Sequence, residues 1–144
     1  MEKGYRDYGH DIDNTDSVLE AGLGFAVALD KPGGFLGRDA VLVKRTAGSL
    51  TKRLVQILLK DPEPMLYHAE VVHRDGRPVG YVRAASYGHT LGGAVGLAML
   101  ESDTPIDQAW LDEAALEVDV AGQRHAAVAS LRPLYDPQMK RVKS

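Results

Sequence analysis

The chain has 144 residues, 44% of them hydrophobic, which is enough to bury one sizeable core. Its formal net charge is -3 and it has no long basic block, so we expect no nucleic-acid partner. No apolar stretch is as long as a membrane-spanning helix, so we expect no membrane partner. Without cysteine it can form neither disulfides nor thiolate sites, which suits a reducing cytoplasm, so we expect a cytoplasmic, globular protein.

The first 49 residues predict a leading segment of mixed structure. Residues 11–17 read as a loop, because their short polar side chains bond their own backbone. An apolar stretch then predicts a strand over 25–29, which Pro32 and two glycines end. A short helix is predicted over 38–47, with cations in its last turn and Gly48 as its C-cap. Residues 48–51 would be the hinge to a main domain at 50–144.

Beyond Lys52 the pattern is that of short strands. We predict them over 53–59, 70–74, 78–83, 94–100, 116–120 and 125–129. Asp75-Gly76 gives the strongest hairpin signal in the chain. Six or seven strands without a long helix fit a closed barrel or a Greek-key sandwich. The sequence therefore predicts a mainly β fold, with a C-terminal Greek-key-like β-barrel after a short α/β segment.

The sequence offers few residues for chemistry. The histidines do not fall at metal-ligand spacing, so no metal site is predicted; they are His10, His68, His73, His89 and His125. The glycine-rich run 92–96 lacks the Lys and Ser/Thr of a phosphate loop and reads as a turn entering a strand.

Residues 86–90 place a hydroxyl, a phenol and an imidazole close together. Neighbours on extended chain rarely converge as a nucleophile and base, so catalysis here is disfavoured. We predict an exposed turn or loop, because the surrounding Ala, Gly and Leu side chains cannot satisfy buried rings of Tyr87 and His89. Tyr87 and His89 are thus candidates for contact with a ligand cleft or a neighbouring domain.

Three further residues stand out in the leading segment. Glu20 interrupts an apolar run, and a loop-capping role is favoured over contact with a ligand. Tyr5 and Tyr8 could form a stacking face, although a place in the core is the commoner outcome at this spacing.

Ordered motifs along nearly the whole chain resemble one family. They are Glu2-Lys3-Gly4-Tyr5-Arg6, Gly9-His10-Asp11-Ile12, Leu19-Glu20-Ala21-Gly22-Leu23-Gly24-Phe25, Gly37-Arg38-Asp39-Ala40, Asp75-Gly76-Arg77-Pro78-Val79-Gly80-Tyr81-Val82 and Ser86-Tyr87-Gly88-His89-Thr90-Leu91-Gly92. Together they resemble the C-terminal part of the glycine-cleavage T-protein (aminomethyltransferase) family. The folate domains of sarcosine and dimethylglycine dehydrogenases are the most similar members.

The resemblance implies that residues 1–49 are the end of a folate-binding domain. The family's catalytic aspartate, and a tyrosine-glutamate pair that holds the pterin, would lie before Met1, so no catalytic residue carries over to this chain. The dehydrogenases' FAD domain is also unmatched, since no Gly-x-Gly-x-x-Gly stands between a strand and a helix. We expect an excised part of a longer protein, one that binds neither tetrahydrofolate nor FAD tightly by itself.

In the full protein, the resemblance implies transfer of a one-carbon unit from an N-methyl or aminomethyl donor to tetrahydrofolate. FAD on an absent domain would oxidise the N-methyl group of a dehydrogenase substrate. The expected partner is the missing catalytic folate domain, with self-association of the isolated chain as a further expectation. Two alternatives stay open: a non-catalytic binding or structural barrel, and a folate-dependent demethylase of a sulfonium or aromatic ether donor.

Overall fold

The computed structural model of the protein describes residues 1–143. Its helices are α1 (Arg38–Ala47), α2 (Gln108–Asp112) and α3 (Lys140–Lys143). Its strands are β1 (Lys52–Leu59), β2 (Val71–Arg74), β3 (Arg77–Gly88), β4 (Gly93–Glu101), β5 (Leu116–Val120) and β6 (Gln123–Ser130). All strand pairs are antiparallel, and the order β1-β4-β3-β2-β5-β6 closes because β1 pairs with both β4 and β6. The predicted mainly β fold with a barrel of six to seven strands is confirmed, and the barrel has six.

The barrel has two differently used faces. On β1, Val55, Ile57 and Leu59 point inward, because side chains alternate along a strand. Leu54, from the same strand, belongs instead to a second apolar cluster on the outside. The inner cluster also holds Leu111 of α2, which covers one end of the barrel.

The tightest turns follow the expected chemistry. Asp75 and Gly76 have φ values of 50° and 78°, as a two-residue hairpin with matched strand twist requires, so the predicted hairpin between β2 and β3 is present. Ala121 and Gly122 make the equivalent turn between β5 and β6, with φ values of 52° and 83°. Both turns fix the register of the two strands they join. The pairing of β2 with β3 and of β5 with β6 can therefore be predicted from local sequence.

The predicted strand over 25–29 is wrong. Gly24–Ala26 form a 3-10 turn, closed by local bonds from Ala26 N to Leu23 O and from Val27 N to Gly24 O. Since the closed barrel has no free edge, this apolar stretch finds no strand to pair with, and the side chain of Phe25 is 85% exposed. The predicted helix over 38–47 is present as α1, and Gly48 is its C-cap in the left-handed conformation.

Two other boundaries differ from the prediction. β3 continues from the predicted end at residue 83 to Gly88. The added residues are mostly small and show no clear side-chain alternation, and they form part of the strand because they pair with β4. α2 was not predicted, because five residues give too little helical periodicity; its start is marked by Asp107, whose side chain accepts from Trp110 N. The division at residues 49 and 50 stays a prediction.

Candidate functional site

The leading segment lies against the outside of the barrel. Ile12 and Ala21 pack on Leu54, Leu97 and Met99, which are the outward side chains of β1 and β4. The backbone amide of Leu54 also donates to the carbonyl oxygen of Glu20. Apolar contact and a main-chain bond therefore hold the loop around residue 20 on the barrel wall.

A buried ion pair makes a second attachment. The Asp16 side chain is fully buried, and its Oδ1 lies 2.8 Å from Lys52 Nζ on β1 and 3.9 Å from Nη2 of Arg83 on β3. Contact with Asp16 outweighs desolvation and raises the pKa of Lys52. Two strands are thus tied to the loop that the sequence predicted at residues 11–17.

Glu20 is a capping acid, as its position in an apolar run suggested. Its Oε2 accepts from Ser17 N at 2.8 Å, its own amide donates to Ser17 Oγ at 3.3 Å, and Lys44 Nζ of α1 donates to Oε1 at 2.6 Å. Desolvation opposes ionisation of this nearly buried carboxyl, but the bonds from Lys44 and Ser17 lower its pKa overall. Glu20 therefore joins α1 to the loop and leaves no carboxylate oxygen free for a ligand.

Tyr87 and His89 lie at the end of β3 and in the turn that follows. Their ring centroids are 5.2 Å apart; Tyr87 is half-buried and His89 is exposed. The prediction of a turn is wrong for Ser86–Gly88, which belong to β3, whereas residues 89 and 90 do turn. The predicted exposure agrees with the structure for His89 and only in part for Tyr87.

The chain's N-terminus holds this turn in place. Oε1 of Glu2 accepts from Thr90 N at 2.7 Å and from Leu91 N at 2.9 Å. Desolvation works against the charge, yet these two amides lower the pKa of Glu2. The turn is therefore fixed by a residue 88 positions away, a contact that no local sequence pattern indicates.

An open cleft beside the two rings is lined by aromatic side chains. Tyr5 and Tyr135 share it with Tyr87 and His89, and Lys3 Nζ, paired with Asp136 at 2.9 Å, lies 5.3 Å from the Tyr135 ring centroid. Such rings can stack on a flat heteroaromatic group. Ser86 also lines this cleft, and among residues 1–143 no hydrogen bond joins its hydroxyl to His89. Sequence analysis missed Lys3 and Tyr135, because only the fold brings the two chain ends together.

Several large apolar side chains of residues 1–49 face solvent. The exposed fractions are 64% for Tyr5, 70% for Tyr8, 85% for Phe25, 103% for Leu36 and 71% for Val43. The expectation that the two tyrosines belong to the core is wrong, because β1 and β4 already fill their outer face with Ile12 and Ala21.

Residues 1–143 show neither a metal cluster nor a membrane-spanning helix. In that range no three His, Cys, Asp or Glu residues are grouped so as to hold a metal ion. No helix in the same range is both long and apolar enough to cross a membrane.

These features define a class: a small antiparallel barrel whose outer wall carries a leading segment with unpartnered apolar side chains. The family model of the glycine cleavage T-protein C-terminal barrel domain matches residues 52–136, and the chain belongs to this family.

Named relatives extend the likeness to almost the whole chain. It is 44% identical over 142 residues to 4-methylaminobutanoate oxidase (formaldehyde-forming) of Paenarthrobacter nicotinovorans, covering 99% of this chain and 16% of that protein. Human mitochondrial sarcosine dehydrogenase is 36% identical, also over 99% of the chain and 16% of its own length. An aminomethyltransferase of Synechococcus sp. (strain RCC307) is 36% identical over 91% of the chain and 34% of its length.

A solved structure supports the fold. The glycine cleavage system aminomethyltransferase T of Bartonella henselae superposes with a TM-score of 0.70 at 18% identity, covering 88% of this chain and 34% of that one. The chain thus covers between about one sixth and one third of the length of these relatives. The resemblance to the T-protein and sarcosine dehydrogenase group is confirmed.

Proposed function

We propose that the chain is the C-terminal barrel of a longer tetrahydrofolate-dependent protein that takes a one-carbon unit from an N-methylated amino acid. The observation that carries this proposal is the 44% identity, over 99% of the chain, to a 4-methylaminobutanoate oxidase. That substrate and sarcosine, named in a second relative, are both amino acids with a methyl group on nitrogen. An N-methylated amino acid is therefore the donor class we favour.

The cofactors would be bound elsewhere in the longer protein. FAD does not fit residues 1–143, whose one sheet is an antiparallel barrel without the strand-loop-helix unit that binds a dinucleotide. Tetrahydrofolate fits only in part: the cleft beside Tyr87 and His89 supplies aromatic faces, but its one carboxylate among the described residues, Glu2, already accepts from the amides of the turn at residues 90–91. The barrel would have a positioning role in the longer protein.

The partner in this proposal is a folate-binding domain on the same polypeptide. Two features support it: the exposed Phe25, Leu36 and Val43, and the aromatic cleft at Tyr87 and His89. Burying side chains of this size against a neighbouring domain would gain roughly 1.5–3 kcal/mol each. The barrel would then form one wall of the folate cleft.

Activity assays of two proteins test the proposal. The isolated 144-residue chain and a longer protein with the preceding folate domain are each given tetrahydrofolate and either sarcosine or 4-methylaminobutanoate. We expect 5,10-methylenetetrahydrofolate only from the longer protein, because acid-base and pterin-binding groups are not found in this chain. Turnover by the isolated chain would contradict the proposal.

The same assays separate the alternatives. A longer protein that is active only on a sulfonium or aromatic ether methyl donor would be a folate-dependent demethylase. A longer protein inactive with every methyl donor, and unable to bind tetrahydrofolate, would make the barrel a binding or structural module.

A further inference from the structure

One arginine of the barrel is left without a protein partner. Arg53 lies on β1 two residues before Val55, on the strand face that points inward, where the strand begins at one end of the barrel. Its Nε is buried and has no hydrogen-bond partner. Within residues 1–143, no hydrogen bond or ion pair reaches any other atom of this guanidinium either.

The carboxylate that acts electrostatically on Arg53 already has one oxygen in a hydrogen bond. Asp107 is close enough to act on Arg53 electrostatically, but its carboxylate accepts from Trp110 N at 2.8 Å and so caps α2. Desolvation outweighs this attraction and lowers the pKa of Arg53. A dry, unpaired donor costs free energy, and in native proteins such a group commonly faces a ligand, ion or ordered water.

Arg53 lines an open cleft of about 280 Å³ together with two cations of α1. Lys44 is paired there with Glu20 at 2.6 Å. Arg45 is exposed, and no hydrogen bond or ion pair of its side chain exists among the described residues. Leu19 and Leu50 form apolar walls. Two arginines thus line one cleft whose described lining includes no Asp or Glu.

The helix end explains only part of this arrangement. Cations in the last turn of a helix are stabilised by its dipole, and that accounts for Lys44 and Arg45. It does not account for Arg53, which belongs to a strand and has its Nε closed off from water. The helix dipole therefore accounts for two of the three cations that line this cleft.

We propose that this cleft, lined by Lys44, Arg45 and Arg53, binds a small oxyanion bearing phosphate or carboxylate groups. Guanidinium groups match both ligands, since each can accept two parallel N–H bonds from the planar fork. Two unpaired arginines suit a dianion. The site lies on the leading segment and β1, and it is separate from the aromatic cleft at Tyr87 and His89.

Calorimetric titration of the chain with sodium phosphate and with sodium succinate, at ionic strength held constant by NaCl, tests this site. We expect binding to the wild type and a loss of affinity of at least about fivefold in Arg53→Gln, because charge-assisted bonds are the strong contacts of an oxyanion. Arg45→Gln should weaken binding less and should fold, since Arg45 is exposed. Arg77→Gln, at an exposed arginine outside the cleft, is the charge-matched control and should bind like the wild type.

The two anions distinguish the source of the ligand. Tighter phosphate binding assigns the site to a phosphorylated molecule, and tighter succinate binding to a carboxylate. Equal binding by the wild type, Arg53→Gln, Arg45→Gln and Arg77→Gln, or no binding to the wild type, would overturn the proposal. If Arg53→Gln does not fold, unchanged affinity of Arg45→Gln for both anions is sufficient to overturn the proposal.

Discussion

The barrel and the leading segment are stabilised in different ways. Strand ladders close the barrel, and its inner side chains are almost entirely buried, among them Ile57 and Val82 at 0% exposure. The leading segment contains no strand and is held by separate contacts, chiefly the Asp16–Lys52 and Glu20–Lys44 ion pairs and a small apolar cluster. Several of its large apolar side chains, among them Phe25 and Leu36, remain exposed.

This difference shows which region is complete in itself. A closed barrel satisfies the backbone bonds of its strands internally, so its sheet needs no further strand. The leading segment buries one side on β1 and β4 and leaves Phe25, Leu36 and Val43 in solvent. We infer that the barrel carries the stability of the chain and that the leading segment provides its docking surface.

The largest effect is expected at Gly80 of β3. A Cβ at this position would overlap the carbonyl oxygen of Met99 and lie 3.0 Å from Leu100 Cα, both backbone atoms of the paired strand β4. Gly80→Ala should therefore lower the free energy of unfolding by about 4 kcal/mol or more, or abolish folding. Urea denaturation measures this change.

Gly92→Ala is the matched control. A Cβ at residue 92 would have no atom within 4 Å, but the φ of Gly92 is 77°, so a cost near 1 kcal/mol is expected from backbone strain alone. Equal losses at the two glycines would mean that the close approach of β3 and β4 does not limit stability.

A pair of large-to-small changes compares the two regions directly. Ile57→Ala opens a cavity in the barrel interior and should cost about 2–5 kcal/mol. Phe25→Ala removes a ring that is 85% exposed, and it should change the free energy of unfolding by less than about 0.5 kcal/mol. Thermal denaturation of both variants tests this difference between the barrel and the leading segment. A loss of stability in Phe25→Ala as large as that in Ile57→Ala would contradict it.

Glu20→Gln tests how the leading segment is attached. It weakens the bond to Lys44, and a loss of roughly 1 kcal/mol is expected at pH 7, with faster amide exchange around residues 17–23. Because the folded-state pKa of Glu20 lies below its usual value of 4.5, the ionised carboxyl stabilises the fold above that pH. This contribution disappears as the pH falls through the lowered pKa.

The difference between wild type and Glu20→Gln should therefore be constant above about pH 5 and shrink below pH 4.5. Glu63→Gln, at an exposed residue, should show no comparable pH dependence. A wild-type advantage that grows on acidification would contradict the assignment.

A small effect is also expected from the double variant Tyr87→Ala and His89→Ala. His89 is exposed and Tyr87 half-buried, so the isolated chain should lose no more than about 1 kcal/mol. In the longer protein, the same change should lower folate affinity or turnover. Tyr67→Ala, at a tyrosine that is 69% exposed, is the control. Collapse of the isolated barrel would show that the two rings are part of its core.

The sequence allowed prediction where local pattern and final structure agree. Period-two alternation and the Asp75-Gly76 turn placed five of the six strands within two residues of their ends, and α1 was marked by its cations and Gly48. The exception is β3, whose far end was set five residues short of Gly88. The cleft at Tyr87 and His89 was harder to predict from the sequence. Glu2, Lys3 and Tyr135 are far from Tyr87 along the chain, and only the closed barrel brings them close to it. Residues 25–29 form no strand because the closed barrel has no free sheet edge, which no local pattern reveals.

Sedimentation velocity over a range of concentrations, combined with amide exchange, most directly tests the claim that residues 1–49 form a docking surface. We predict that the isolated chain associates above its monomer mass of 15.6 kDa, or that amides of residues 1–48 exchange fast. If association is seen, a Phe25→Ser and Leu36→Ser double variant should return the chain to a monomer. A wild-type chain that stays monomeric at every concentration, with uniformly slow exchange across residues 1–48, would contradict the claim.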